Sequence, residues 1–97
     1  MDLQEAQKRV EEFLNNKYKR NDDIVMVVIE DMTIEKEYGW YFFPSNKEYL
    51  ETGDWKKMLV GEGLVLIKKE DGQIIQFRTR YSHEHYIKEF EKEFGYE

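Results

Sequence analysis

The stretch Tyr38-Gly39-Trp40-Tyr41-Phe42-Phe43, continued by Asn46, Tyr49-Leu50-Glu51-Thr52-Gly53-Asp54 and Trp55, decides how this chain folds. Seven of the chain's fifteen aromatic residues lie between positions 38 and 55, too dense a run for solvated loop. Along a strand, Tyr38, Trp40 and Phe42 share one face while Tyr41 and Phe43 share the other. One set reads as core and the other as either lying under a helix or partly exposed as an interface; core for both is the plainer reading, and it puts this strand at the centre of the fold. Pro44 ends it, because proline cannot donate to a ladder.

On its N-terminal side, Thr33-Ile34-Glu35-Lys36-Glu37 alternates more openly and leads into the aromatic strand. Ile24-Val25-Met26-Val27-Val28-Ile29 is β-branched and apolar on both faces, which predicts a central strand. Asn21-Asp22-Asp23 predicts a turn, since short Asx side chains hydrogen-bond the local backbone. Leu3, Ala6, Val10, Phe13, Leu14 and Tyr18 recur at helical spacing, with Asp2 as N-cap and Asn15-Asn16 fraying the end.

On the C-terminal side, Ser45 to Leu50 leaves the sheet as a turn or short helical segment that Gly53 stops. Asp54 then caps a further turn through Met58-Leu59. Gly61 and Gly63 flank Glu62 before an apolar strand, Leu64–Ile67, and Asp71-Gly72 is a hairpin signal returning through Ile74–Arg78. Ser82 caps a last helix with apolar set Tyr86, Ile87, Phe90 and Phe94, and Gly95 is its natural C′ residue. The order α-β-β-(short helix)-β-β-α predicts an α+β fold: one domain over residues 1–97, a four-stranded antiparallel sheet with the N- and C-terminal helices packed on it.

Composition excludes several functions. A net charge of -6 and a pI near 5.0 argue against nucleic acid. The basic cluster Lys17, Lys19 and Arg20 is followed at once by Asn21-Asp22-Asp23, which would oppose a phosphate. With no cysteine, disulfides and thiolate chemistry are absent. The charged Met1-Asp2-Leu3-Gln4-Glu5 lacks the order of a secretory signal, and no apolar run approaches the ~20 residues of a membrane span. A cytoplasmic protein without membrane partner is expected.

No constellation predicts catalysis, a cofactor or a metal. His83-Glu84-His85 and His85 with Glu89 invite a zinc reading, but the two histidines stand at i and i+2, about 200° apart on a helix. Gly61-Glu62-Gly63 is too short for a phosphate cradle and leads into a strand rather than a helix. Trp55, after Gly53-Asp54, is the better candidate for a surface anchor than Trp40. With Glu51, Asp54 and Glu62 it forms a candidate binding patch, an aromatic ringed by carboxylates beside the aromatic strand.

Taken in order, Tyr38-Gly39-Trp40-x-Phe42-Phe43, Asn46-Lys47-x-Tyr49-Leu50-Glu51-Thr52-Gly53, Gly61-x-Gly63, Asp71-Gly72 and the closing Tyr86-Ile87 helix resemble the YrhB-like immunity protein 35 family. The resemblance is densest over positions 34–77. It implies a small α+β cytoplasmic protein, encoded beside a bacterial polymorphic toxin, that binds and blocks a cognate toxin without enzymatic action. YrhB-like members have also been regarded as small chaperones, which implies the alternative of a holdase for exposed apolar segments. The matching residues Tyr38, Gly39, Trp40, Phe42, Tyr49, Leu50, Gly53 and Gly63 are expected mainly to maintain the fold.

Overall fold

The structure, a computed structural model, describes residues 1–20, 24–59 and 61–96. Its elements run α1 (Leu3–Asn16), β1 (Met26–Val28), a 3-10 turn (Glu30–Met32), β2 (Ile34–Lys36), β3 (Gly39–Phe42), β4 (Pro44–Asn46), α2 (Lys47–Thr52), a second 3-10 turn (Trp55–Lys57), β5 (Val65–Lys68), β6 (Ile74–Gln76) and α3 (His83–Phe94). This is the expected α+β class. The turn expected at Asn21-Asp22-Asp23 lies outside the described residues.

The four-stranded antiparallel sheet is present, in the order β2-β3-β5-β6. Trp40 faces Ile67, Tyr41 faces Leu66 and Phe42 faces Val65 across the β3–β5 pair. Alternation then sorts the side chains into two cores. Trp40, Phe42, Val65 and Ile67 meet Ala6, Val10 and Leu14 of α1, with Met26 and Val28 of β1. Tyr41, Phe43, Leu64 and Leu66 meet Ile87 and Phe90 of α3. The aromatic strand is therefore roofed on both faces, and each large side chain so buried stabilises the fold by about 1.5–3 kcal/mol.

The sheet is built from different strands than expected. Residues Ile24 to Ile29 do not form a central strand: the strand is Met26–Val28, and it pairs with β4 in a separate two-stranded ribbon. Its other edge is taken by α1. The Asn15 side chain accepts from the Met26 N–H at 2.7 Å and donates to the Met26 carbonyl at 2.9 Å, while a Glu11 carboxylate oxygen accepts from the Val28 N–H at 3.1 Å. A helix thus occupies the bonding edge that a further strand would need. Asn15 is a clamp within the helix, not a frayed end.

The aromatic strand ends before Pro44 as expected, but Pro44 itself opens β4 in the other sheet. The Ile29 N–H bonds the Phe43 carbonyl and the Lys47 N–H bonds the Val25 carbonyl, at 2.9 and 2.8 Å. With that alternation Pro44, opposite Val28, falls where no N–H is required.

The stretch Thr33–Glu37 is likewise not a lead-in to one long strand. A turn at Glu37-Tyr38 folds β2 back on β3, with Lys36 opposite Gly39. The turn resets the side-chain phase, so Tyr38 joins Tyr41 and Phe43 on the α3 side rather than Trp40 and Phe42.

The helices follow their sequence signals. Asp2 accepts from the Glu5 N–H, Ser82 accepts from the His85 N–H, and Gly95 closes α3 in the left-handed region. Three residues of the expected apolar stripes lie outside the cores: Leu3 and Phe94 are exposed and Phe13 is half-buried.

Candidate interaction surface

Asn46 is the only buried polar residue among those described, and it fastens a small lobe to the sheet. Its side-chain oxygen accepts from the Glu48 N–H at 3.1 Å, capping α2, and its amide nitrogen donates to the Lys57 carbonyl at 2.8 Å. One side chain thereby holds the start of α2 and the end of the 3-10 turn that follows. Within this bracket Asp54 accepts from the Lys56 N–H at 3.0 Å and starts the turn, and Gly53 closes α2. Asp54 caps as expected, although the turn stops at Lys57 rather than running through Met58-Leu59.

Trp55 stands on this turn with 72% of its surface exposed, the most of any large apolar side chain among the described residues. Leu50, Met58 and Val25 on the same lobe and its flank are also about half exposed. Both ends of the lobe are tied by Asn46, and the exposed indole stands on the backbone between them. Four of the lobe's charges pair with one another: Lys47 with Glu51 and Lys57 with Glu48, each at 3.8 Å. Exposed pairs of this kind contribute little stability.

The structure places Glu51, Asp54 and Trp55 together on the lobe and engages Glu62 elsewhere. The Glu62 carboxylate accepts from the Tyr18 hydroxyl, from Gln76 Nε2 at 2.8 Å and from Lys17 Nζ at 3.3 Å. Burial pushes this carboxyl up, but the bonds from Tyr18 and Gln76 and the charge of Lys17 together hold it below its ordinary value. The same contact, added to burial, raises Tyr18 to about 12. The network ties the end of α1 to the connection entering β5.

The motif residues divide by burial. Tyr38, Gly39, Trp40, Phe42 and Gly63 are buried, Tyr49 is half-buried and Leu50 is 45% exposed. Gly39 and Gly63 are required by close approach: a Cβ at Gly39 would stand 2.3 Å from the Ile67 carbonyl oxygen, and one at Gly63 would stand 2.0 Å from that of Phe77. Tyr38 carries a second role. Its hydroxyl donates to Glu91 at 3.0 Å and lies 2.8 Å from that of Tyr41, with Lys36 completing the group 3.4 Å from Glu91. Burial raises both phenols, Tyr41 to about 12.

No group of three or more His, Cys, Asp or Glu among the described residues is placed to hold a metal. His85 instead meets Glu89 at 2.9 Å along α3. Nor is any helix of the described residues long and apolar enough to cross a membrane. An Asn directly before Lys47-Glu48 is an N-cap signal, so half of the role of Asn46 is legible in the sequence. Its bond to Lys57, eleven residues on, has no local signature.

The chain matches the family model described as immunity protein 35 over residues 4–89, from α1 into α3. It is 33% identical over 70 residues to the uncharacterized protein YrhB of Escherichia coli (strain K12), an alignment spanning 72% of this chain and 74% of the relative. No solved structure matches it.

Proposed function

The chain belongs to the immunity protein 35 family, and on that footing we propose that it binds and neutralises a cognate bacterial polymorphic toxin in the cytoplasm. It does so by occluding the toxin's surface, not by chemistry. The observation that carries the reading is Trp55, a 72% exposed indole on a turn tied at both ends. A large aromatic left exposed on a backbone tied at both ends is the residue type that dominates binding energy at interfaces once a partner buries it.

In this reading Trp55 is the anchor, Glu51 and Asp54 belong to its rim, and Glu62 acts by fixing the connection into β5. The net charge of -6 favours approach to a basic toxin at long range. An interface of standard size would cover about 800 Å² of this chain.

The test is co-expression with the toxin domain encoded beside this chain. The unmodified chain should restore growth, and Trp55→Ala should weaken binding by about 2 kcal/mol or more while the far-ultraviolet dichroism stays unchanged. Rescue by Trp55→Ala at full strength would move the interface elsewhere. Failure of the unmodified chain to bind the toxin would overturn the function itself.

A further inference from the structure

β2 is one edge of the four-stranded sheet, and its outer side has an unused peptide unit. Tyr38 O accepts from the Lys69 N–H at 2.9 Å, so Tyr38, Trp40 and Phe42 turn their peptide groups towards β5. Gly39 and Tyr41 therefore bond β2, through Lys36 and Ile34 opposite them. The N–H and C=O of Glu35 point away from the sheet, and no hydrogen bond from the described residues reaches them.

Beside this edge lies a groove of about 420 Å³ between β2 and α3. Ile34 and Ile87 supply its apolar lining, and the ion pairs Lys36–Glu91 and Lys88–Glu84, at 3.4 and 3.1 Å, border it. A free strand edge next to a helix-walled groove suits an extended chain, whose backbone joins the sheet while alternate side chains enter the groove.

We infer that this groove takes an extended segment of the toxin with the pattern apolar–basic–apolar, a contact separate from Trp55 that rests on the function proposed above. The two apolar side chains flank the residue opposite Glu35 and point towards Ile34 and Ile87. The residue opposite Glu35 points to the other face, where Lys69 meets Glu35 at 2.8 Å and also lines a pocket with Glu37 and Glu70. Three carboxylates against one ammonium favour a basic side chain there. A second copy of this chain is the wrong occupant: centred pairing of two β2 strands sets Glu35 against Glu35, and like charges directly opposite are destabilising.

The experiment measures affinity for the toxin domain encoded beside the chain, together with amide exchange at Glu35. Glu35→Pro removes the outward N–H and sets a ring on the edge, while the β2–β3 bonds do not use that N–H. Affinity should fall about tenfold or more for Glu35→Pro and only about two- to threefold for Glu35→Gln, which keeps the peptide unit. In the unmodified complex the Glu35 amide should exchange more slowly than in the free chain. A Glu35→Pro chain that melts normally and binds with unchanged affinity overturns the groove. If that variant does not fold, unslowed Glu35 exchange in the unmodified complex overturns it instead. Complete absence of toxin binding by the unmodified chain is a different result, since it removes the proposed function and the groove's occupant together.

Discussion

Replacing Gly63 with alanine should destabilise this protein by about 1.5–4.5 kcal/mol, because three backbone atoms crowd the position. The added Cβ would lie 2.0 Å from the Phe77 oxygen, 2.9 Å from the Phe77 carbonyl carbon and 3.1 Å from the Arg78 oxygen. All are backbone atoms, so no rotamer change relieves the clash. Moving from 2.0 Å to an ordinary 3.4 Å contact displaces one strand end by about 1.4 Å, the difference between the two. That displacement breaks the 2.8 Å bond from the Phe77 N–H to the Leu64 carbonyl. The bond is worth about 0.5–1.5 kcal/mol net, and forcing an extra methyl into a packed site adds about 1–3 kcal/mol. Urea unfolding followed by circular dichroism measures the sum, and the melting temperature should drop by about 10–30 °C. Gly61 is the control, because a Cβ there meets open space and only its φ of 95° resists substitution, at a cost of about 1–2 kcal/mol. A Gly63→Ala midpoint within about 3 °C of the unmodified protein, or a larger loss for Gly61→Ala, would refute the steric argument.

Phe90→Ala should cost about 3–5 kcal/mol, since its ring is 4% exposed and lies 5.4 Å from that of Tyr38; an unchanged melting temperature would reject the docking of α3. Trp55→Ala should change stability by less than about 0.5 kcal/mol in the same assay, and a loss several times larger would mean the indole packs on the protein. Tyr41 is raised from 10.0 to about 12 because the fold favours its neutral form, so its stabilisation is full below pH 10 and is lost as pH rises towards 12. Tyr41→Phe should flatten the decline in urea midpoint across that window; an equally steep decline would locate the titration elsewhere. Glu62 has the opposite sign: held below 4.5, it contributes stability present above that pH and lost as pH falls through its lowered value. Glu62→Gln should therefore weaken the fold at neutral pH and reduce its acid sensitivity, and an acid limb as steep as the unmodified protein's would refute this.

What the sequence made legible was local. Asp2, Ser82, Asp54 and Gly95 act at helix ends through bonds spanning two to four residues, and each was placed correctly. The covering of β3 on both faces was legible too, because period-two alternation needs no partner to be known. The ribbon of β1 and β4 was not. It depends on Asn15 and Glu11 reaching Met26 and Val28 from eleven and seventeen residues away, and an Asn near a helix end looks the same whether it clamps a strand or frays. The face of Tyr38 is illegible for a related reason: neither Glu37 nor Tyr38 is a turn residue by type, and the hairpin shows only in the pairing of Lys36 with Gly39. Among candidate surface residues, exposure at Trp55 followed from its position after Gly53-Asp54. The engagement of Glu62 with Tyr18 and Lys17 joins positions more than forty residues apart and left no local trace.

These placements bear on where recognition sits. A sheet with helices on both faces has no free face to offer a partner, and here the aromatic richness of β3 is consumed in making that sandwich. Under the proposed function the candidate sites for binding lie at the rim: the lobe that Asn46 mounts and the edge at β2. Rim positions tolerate changes of side chain because few core contacts depend on them. Under the proposed function this division has a consequence. Substitutions at Trp55, Glu51 or Glu35 can redirect the protein to a different toxin at little cost in stability, whereas substitutions at Gly39, Trp40 or Gly63 act on every toxin alike by weakening the fold. A set of rim variants assayed for both melting temperature and toxin affinity would therefore show the two quantities varying independently, and tight correlation between them would place the binding determinants inside the sandwich after all.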